Sequence, residues 1–435
     1  MNSGSVDNRR VAHLTVALVF ALLGLYAASI VYIVARSKAV DFSLYYLAAY
    51  GFARGEDVYA LGGKRDPTSQ AVWDRLARET GVENYAPPYR YPPLTAALVW
   101  PLTFLPPYVG MVLWLAASAF ALIGSGWLLG KTSTSTFGVP VALVLLAGFV
   151  PAALTLYAGQ VNGFVLLTVC WALHAATRGK LRTAGAAAGI GAMLKLVPFA
   201  HLAYLGWRRQ WGAVVVGLAM IGACLVGALP LVGWHGLVSY AHNFETLSAW
   251  GQVSAAPGNQ ALSGFIARTL VAHDNPRALA DAPHLAWWLA RLSSAALVIA
   301  TAALCWPQGA RTDTLRLELA LVTTAVTLVP PYVWYHQFVL LLLPFFVLID
   351  HGLTHPSERW MLFPLALGYV LTGIFGIAWR SIENLALAGM PLYTALLVWL
   401  LLARLIVNAC PPKSVADCGR PAPLTRGAKC VARSD

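Results

Sequence analysis

Apolar runs long enough to cross a membrane recur along this chain and leave little sequence for a soluble core. Only 11% of its 435 residues are charged, whereas about a quarter are charged in soluble domains. The sequence therefore predicts an all-α integral membrane protein, a polytopic helical bundle with about 10–12 transmembrane segments of about 20 residues each. The candidate spans are residues 11–35, 107–130, 138–156, 161–177, 211–231, 285–305, 314–332, 336–350, 359–378 and 386–408.

The charge of the loops predicts the orientation of the chain, because lysine and arginine gather on the cytoplasmic side. Both termini are predicted inside, so residues 36–91 form a long outer loop with an interfacial helix at 66–80, and residues 232–284 form a second outer loop. Residues 1–410 are expected to be one membrane-embedded unit. The basic tail at 411–435 is expected to be disordered and to touch anionic lipid rather than nucleic acid. The basic residues that indicate the inner side are Arg9, Arg10, Arg178, Lys180, Arg182, Arg208, Arg209, Arg311 and Arg316.

Two apolar stretches do not fit a simple crossing. Residues 183–206 carry Lys195 and Pro198 at their middle, and both of their ends are basic. We therefore expect two half-helices that dip into the membrane and return, with the polar break lining a cavity. Residues 92–106 are short and rich in proline, and we expect them to lie along the membrane surface.

In this topology Asp41 lies on the outer side, soon after the first span. A partly buried carboxylate could take a proton from an attacking hydroxyl at the water–lipid boundary, and burial among aromatic neighbours would raise its pKa. The alternative is a solvated acid that caps a helix beginning at Phe42. The residue alone does not decide between these two roles.

Three basic side chains could bind a phosphate on the same side. Lys195 would reach the outer face from the tip of the dipping pair, or it could snorkel to lipid headgroups. His336 could hydrogen-bond a phosphate or orient an acceptor hydroxyl, or it could belong to an interfacial aromatic belt. Arg268 could pair with a phosphate or bind headgroups at the rim.

Amide and aromatic side chains on the outer side could bind sugar hydroxyls or wall a lipid groove. The amides could equally cap the helices that follow them, and tyrosine beside proline also occurs where helices simply end. No cysteine spacing indicates a metal site, and the need for a divalent metal is left open. The candidates for acceptor or sugar contacts are Tyr91, Gln160, Asn162, Asn259, Gln260 and Trp334.

Six segments, taken in order, resemble glycosyltransferase family 87. That family consists of polytopic enzymes of the GT-C superfamily and includes mycobacterial polyprenyl-phosphate-mannose-dependent mannosyltransferases of phosphatidylinositol mannoside synthesis. The resemblance covers roughly residues 11–350, and the order and spacing of the segments make it specific. The segments are VDFSLYYLAAYGFARGEDVY, YRYPPLTAALVWPLTFLP, GQVNGFVLL, GIGAMLKLVPFAHL, NQALSGFIAR and PPYVWYHQFVLLLLP.

The resemblance implies an inverting GT-C-type membrane glycosyltransferase. It would move a hexose, with mannose as the first candidate, from a polyprenyl phosphate to a glycolipid or glycan acceptor on the outer face. Asp41 occupies the position of the family's catalytic base, and Lys195 and His336 are similar to its donor-site residues. The family's usual NQSL reads NQAL here, with Ala261 in place of the serine. The lipid-linked sugar phosphate is a substrate, and no cofactor is expected.

Two rival interpretations stay open. A transporter or flippase of a lipid-linked substrate would also have many helices, a broken helix and a buried lysine, although no internal repeat is evident and the polar residues gather on one side. The same enzyme class could also use lipid-linked arabinose or galactose. The alanine- and arginine-rich composition points to a GC-rich bacterial genome, so the bacterial plasma membrane is the expected location.

Overall fold

The computed structural model describes residue 28 and residues 38–63, 66–248, 255–256, 258–272, 277–306, 314–378 and 389–409. The predicted first span, apart from residue 28, and the predicted basic tail lie outside these residues. Within the described ranges the regular structure is helical, and extended backbone pairs only at one antiparallel bridge between Asn259 and Trp334. The predicted all-α fold class is confirmed.

The helices follow one another with short connections. Short 3₁₀-helices cover Trp100–Phe104, Tyr335–Leu341 and Pro356–Met361. The α-helices in chain order are α1 (Val40–Phe52), α2 (Pro67–Thr80), α3 (Pro93–Val99), α4 (Pro107–Gly130), α5 (Gly138–Gly148), α6 (Val150–Ala158), α7 (Asn162–Thr177), α8 (Leu181–Leu194), α9 (Phe199–Trp207), α10 (Trp211–Ser248), α11 (Leu262–Leu270), α12 (Pro283–Leu304), α13 (Leu315–Leu328), α14 (Leu342–Thr354), α15 (Leu362–Ala378) and α16 (Met390–Ala409).

Six helical segments of the described chain are long and apolar enough to cross a membrane, and the α5–α6 pair, bent by 59°, makes a seventh if it is one span. The protein is therefore a polytopic membrane protein. Two of the predicted spans are shorter than a full crossing, since α7 has 16 residues and α13 has 14. The six segments are Pro107–Gly130, Trp211–Asn243, Pro283–Leu304, Tyr335–Thr354, Pro356–Gly376 and Met390–Ala409.

The apolar stretch at 183–206 folds back on itself as the charge pattern predicts. A Cβ on Gly185, near the start of α8, would lie 2.0 Å from the carbonyl oxygen of Ala213, and a Cβ on Gly206, at the end of α9, would lie 3.6 Å from Val214. Both ends of the stretch therefore contact the same turn of α10. α8 and α9 form a hairpin, and Lys195 lies at its tip in extended backbone.

The short segment at 92–106 is more buried than we expected. In α3, Thr95, Ala96 and Val99 are fully buried, and the Thr95 hydroxyl donates to the Leu194 carbonyl at 3.0 Å. Small side chains let α3 approach the tip of the hairpin closely. The following 3₁₀-helix is more open, with Phe104 76% exposed, and the location of the segment along the membrane surface stays a prediction.

The predicted interfacial helix is α2. Asp66 caps it by accepting a hydrogen bond from the Thr68 amide at 3.1 Å, and Pro67 occupies its first position, where a missing N–H costs nothing. Trp73 and Leu76 on its apolar face are fully buried. The apolar face of α2 therefore packs on the protein itself, and the helix forms part of the cover over α1.

A buried ion pair fixes the hairpin at the end opposite Lys195. Arg208 follows α9, and its guanidinium lies 3.6 Å from the carboxylate of Glu318 in the first turn of α13. Tyr204 donates a hydrogen bond to the same carboxylate at 2.6 Å. Removing one partner of a buried pair leaves an uncompensated charge and is strongly destabilising. α9 is therefore held against α13, and this contact fixes the position of the hairpin that carries Lys195.

Candidate active site

A sharp corner between α6 and α7 organises the site. Gly159 at this corner has a φ of +68°, a left-handed conformation that favours glycine. A Cβ at this position would lie 2.7 Å from the Cβ of Phe42 and 3.1 Å from the Cβ of Ala39. The start of α1 therefore packs directly against the corner. This close approach brings Asp41 to Gln160.

Replacing Gly159 by alanine should loosen this contact. A left-handed backbone costs an alanine about 1–2 kcal/mol, and the new methyl group must displace Phe42, which adds about 1–3 kcal/mol of overpacking. We expect a lower apparent melting temperature in detergent and weaker catalytic activity. The matched control is Gly222→Ala in α10, where the added methyl meets open space and helix propensity improves. Equal melting temperatures of the two variants would contradict the importance of the corner.

Asp41 lies in the first turn of α1 and is partly exposed. The Tyr91 hydroxyl donates to its carboxylate at 3.5 Å, and the Gln160 side chain forms a further hydrogen bond to it. Burial raises the pKa of Asp41 to about 6, while the Gln160 hydrogen bond, the charge of Lys195 and the Tyr91 hydrogen bond lower it. α1 begins at Val40 and has no side-chain cap, so Asp41 does not act as a helix cap.

Lys195 points into the protein rather than toward lipid headgroups. Its Nζ donates to the Oδ1 of Asn162 at 3.0 Å and lies 5.9 Å from the centre of the Tyr91 ring. Lys195 lies in the break of the hairpin, outside the membrane-spanning helices, and burial lowers the pKa of its ammonium to about 8, while the charge of Asp41 raises it. Since the Tyr91 hydroxyl donates to Asp41 and the Tyr91 ring lies near the Lys195 ammonium, the cation and the carboxylate belong to one site.

The side chain of Asn162 carries a hydrogen-bond donor, Nδ2, beside the Lys195 ammonium. Its side chain is fully buried at the start of α7, and its Nδ2 has no hydrogen-bond partner within the described residues. A buried donor without a partner is rare in folded proteins and calls for an explanation. The Asn162 amide and the Lys195 ammonium together can donate to a single anion at the N-terminus of a 16-residue helix.

His336 lies at the edge of the same group. It is 7% exposed and belongs to the 3₁₀-helix Tyr335–Leu341. The Thr155 hydroxyl donates to the His336 carbonyl at 3.0 Å, which fixes this helix to α6. The same 3₁₀-helix packs on α7, which begins at Asn162. The structure thus brings together Asp41, Tyr91, Gln160, Asn162, Lys195 and His336.

Tyr45 also belongs to this group, although it is not among the site residues predicted from the sequence. Its hydroxyl donates to Gln160 Oε1 at 3.0 Å, and its ring centre lies 4.6 Å from that of Tyr91. Gln160 in turn donates to the Tyr91 hydroxyl at 2.9 Å. Tyr45 holds the two side chains that contact Asp41. A signal was available, because Tyr45 follows Asp41 by one helical turn and so lies on the same face.

Asn259 and Gln260 form a second group, at the loop that leads to His336. The Asn259 side chain donates to the Pro331 carbonyl at 2.9 Å and accepts from the Val333 amide at 2.9 Å. The Gln260 backbone amide donates to the Val333 carbonyl at 2.7 Å. Both residues are fully buried. These contacts hold the loop in place, and contact of either side chain with a sugar stays a prediction.

Arg268 and Trp334 pack on the segment that contains Gly258 and Asn259. The Arg268 guanidinium donates to the backbone carbonyls of Asn259 and, at 3.2 Å, Ala256. The Trp334 ring packs so closely on Gly258 that a Cβ there would lie 2.5 Å from it. The described hydrogen bonds of Arg268 are therefore with the backbone of Ala256 and Asn259, and its predicted phosphate contact stays a prediction. No group of three or more histidine, cysteine or acidic side chains suited to a metal occurs in the described part of the chain.

Comparison with known proteins places the chain in a family. The profile of glycosyltransferase family 87 matches residues 89–331, more than half of the chain. A similar protein of Mycobacterium tuberculosis (strain CDC 1551 / Oshkosh) is named polyprenol-phosphate-mannose-dependent alpha-(1-2)-phosphatidylinositol pentamannoside mannosyltransferase. It is 29% identical over 305 residues, which cover 67% of this chain and 64% of that protein.

No solved structure matches the chain. Within the matched segment lie Lys195 and both amides of the corner, whereas Asp41 and His336 lie outside it. This chain belongs to glycosyltransferase family 87.

Proposed function

We propose that this protein transfers a mannosyl residue from a polyprenyl phosphate to a hydroxyl group of a glycolipid or glycan acceptor, with inversion, at the outer face of the bacterial plasma membrane. The observation that carries this proposal is that a carboxylate, Asp41, and a half-buried cation, Lys195 at the tip of the hairpin, both lie beside Tyr91. Membership of the family supports the reaction class. The name of the mycobacterial relative, of which the chain spans 64%, supports the mannose donor.

The proposed reaction is a single displacement. Asp41 takes the proton of the acceptor hydroxyl as its oxygen attacks the anomeric carbon. The bond between that carbon and the phosphate oxygen breaks, and its electron pair leaves with the polyprenyl phosphate. The new glycosidic bond forms on the opposite face of the sugar, so a β-linked donor gives an α-linked product. Tyr91 and Gln160 orient the carboxylate through their hydrogen bonds.

The leaving phosphate would bind between Lys195 and Asn162. The Lys195 ammonium donates to Asn162 Oδ1, and the neighbouring Nδ2 has no partner among the described residues. A phosphate oxygen can accept from both groups, and such preorganised donors stabilise the charge that develops in the transition state. His336, on the 3₁₀-helix that packs on α7, would flank the phosphate or orient the acceptor.

The orientation follows from the distribution of basic residues. The hairpin carries Lys195 at its tip, while its base is next to the basic residues 178–182 and 208–209. If these residues face the cytoplasm, as the positive-inside rule favours, Asp41 and Lys195 face outside. A donor whose polyprenyl tail lies in the bilayer would then present its sugar at the level of both groups.

Transfer in liposomes tests the proposal. Purified protein is reconstituted with synthetic polyprenyl-phosphate mannose and a phosphatidylinositol glycolipid, and both the glycosylated lipid and free polyprenyl phosphate are measured. We expect the two products in equal amounts, with no effect of an ionophore. Movement of the donor across the bilayer without release of polyprenyl phosphate would contradict the proposal and favour a flippase. Activity with only lipid-linked arabinose or galactose would show that the transferred sugar is not mannose.

The pH dependence of kcat/KM should be bell-shaped, since this parameter reports groups of the free enzyme. Asp41, with a pKa of about 6, gains a proton as pH falls through that value and can no longer act as a base. Lys195, with a pKa of about 8, loses its charge as pH rises through that value. Lys195→Arg keeps a positive charge at all accessible pH values. The variant should lose the alkaline limb and retain the acid limb, and an unchanged alkaline limb would assign it to another group.

A further inference from the structure

The hydroxyl of Tyr91 has one proton to donate and two acceptors within reach. It lies 3.5 Å from Oδ1 of Asp41 and 3.3 Å from Oε1 of Gln160. Only a bond to Asp41 orients the proposed base. Which acceptor receives the proton therefore depends on whether Gln160 Oε1 already has a donor of its own.

Tyr45 supplies that donor. Its hydroxyl donates to Gln160 Oε1 at 3.0 Å, a shorter distance than the one from Tyr91. The backbone amide of Val161 forms a hydrogen bond to the Tyr45 hydroxyl. Because an amide N–H can only donate, the Tyr45 oxygen accepts this bond and its own proton is left for Gln160.

The same contact fixes which end of the Gln160 amide faces the carboxylate. With Oε1 turned to Tyr45, the two hydrogens of Nε2 are left for the Tyr91 hydroxyl oxygen, at 2.9 Å, and for Asp41. The reversed amide would place an oxygen against a carboxylate with no proton between them. A chain of donors thus runs in one direction through Tyr45 and Gln160 and ends on Asp41.

Burial makes the Tyr45 hydroxyl hard to replace. Tyr45 is 0% exposed and Gln160 is 2% exposed, so solvent has little access to Gln160 Oε1. A buried acceptor without a donor is costly. If the Tyr45 hydroxyl were removed, Oε1 would take the proton of Tyr91, or the amide would turn over, and either change removes a donor from Asp41.

We propose that Tyr45 is a positioning residue of this enzyme. It acts through its neighbours rather than on the substrate, because it orients the Gln160 amide and leaves the Tyr91 proton on Asp41. The proposal rests on the proposed function, since the group that it positions is the proposed base. Within the described residues, the charged and titratable groups that act on Asp41 from other segments are Lys195 at the hairpin tip and Tyr91 before α3.

The Tyr45→Phe variant tests this role, because phenylalanine keeps the ring and removes only the hydroxyl. The charged form of Asp41 loses a hydrogen bond, so the pKa of Asp41 should rise above about 6. The acid limb of kcat/KM should therefore move to higher pH by about 0.5–1 unit, as expected for one hydrogen bond. At the optimum, kcat should fall about 3- to 10-fold, with KM for the donor unchanged.

Tyr46→Phe is the matched control. Tyr46 follows Tyr45 in α1 and is also buried, but its hydroxyl donates to the Leu105 carbonyl at 2.9 Å. Each variant loses one hydroxyl from a buried tyrosine, so both melting temperatures should fall by similar amounts, whereas only Tyr45→Phe should shift the acid limb. Identical pH profiles of the two variants would mean that Tyr45 only stabilises the fold, and would overturn the proposal.

A Gln160→Met background asks whether Tyr45 acts through Gln160. Methionine removes the amide, so Tyr45→Phe should cause no further shift of the acid limb in this background. Additive shifts would mean that Tyr45 acts on Asp41 by another route, and they would contradict the proposed chain of donors.

Infrared titration separates this inference from the proposed function. The carbonyl band of protonated Asp41, identified by its loss in Asp41→Asn, is followed against pH in the reconstituted protein without donor or acceptor. Its midpoint should be higher by about 0.5–1 unit in Tyr45→Phe and unchanged in Tyr46→Phe, whether or not Asp41 proves to be the base. A midpoint that does not move in Tyr45→Phe would overturn the inference while leaving the proposed function intact.

Discussion

The Asp41→Asn variant should retain donor binding and lose transfer. Asparagine has the shape of aspartate and can still accept hydrogen bonds from Tyr91 and Gln160, but it cannot take a proton at the pH of the assay. Loss of a general base lowers the rate by about 10²- to 10⁴-fold. We therefore expect kcat to fall by that factor while the affinity for polyprenyl phosphate stays within a factor of about 3. Transfer kinetics and equilibrium binding of polyprenyl phosphate are the two measurements.

Two further variants make this test specific. Asp74→Asn removes a carboxylate of α2 that accepts hydrogen bonds from Gln70 and Tyr85, away from the site, and its activity should match wild type. Asp41→Glu keeps a carboxylate but shifts it by one methylene group, so its activity should lie between wild type and Asp41→Asn. Wild-type turnover in Asp41→Asn would rule out Asp41 as the base.

The Lys195→Met variant should lose donor recognition. Methionine fills a similar volume without a charge, so Asn162 loses its ammonium partner and the leaving phosphate loses its cation. Removing one preorganised donor from a site where charge develops costs about 10²- to 10³-fold. We expect kcat/KM for the donor to fall by this factor, with no saturation at donor concentrations that saturate wild type. Binding of polyprenyl phosphate should weaken in parallel.

The side-chain amide of Asn162 provides a second test of the role of Lys195 in donor binding. Because Asn162 contacts Lys195 directly, Asn162→Ala and Lys195→Met should not have additive effects in a double-mutant cycle. Lys131→Met is the control for removal of a lysine from a helix end and should keep its donor affinity. Additive effects, or unchanged donor binding in Lys195→Met, would place the phosphate elsewhere.

The hairpin and the long spans could be predicted because their signals are local in the sequence. Hydropathy defines α4 almost to the residue, and basic residues at both ends of 183–206 distinguish a hairpin from a crossing. Asp41 and Lys195 also stand out locally, since an ionisable side chain in apolar surroundings needs a reason. Each of these signals lies within a short stretch of sequence and does not depend on contacts with distant residues.

The partners of these residues could not be predicted in the same way. Lys195 and Asn162 are 33 residues apart and Tyr91 and Asp41 are 50 apart, and both contacts depend on how closely helices with small residues approach. Asn259 illustrates the opposite case. A loop asparagine that binds a ligand cannot be distinguished by sequence from one that hydrogen-bonds a neighbouring loop. For Asn259, the contacts with residues 331–333 distinguish the two roles.

The corner at Gly159 fixes the geometry of the proposed site through a short stretch of backbone. Gln160 contacts the proposed base and Asn162 contacts the cation, so two residues on one turn set the spacing of the proposed reactive groups. A substitution that shifts this turn would move both contacts together. The site would therefore lose its geometry as a unit, while the helices that surround it could vary without changing that spacing.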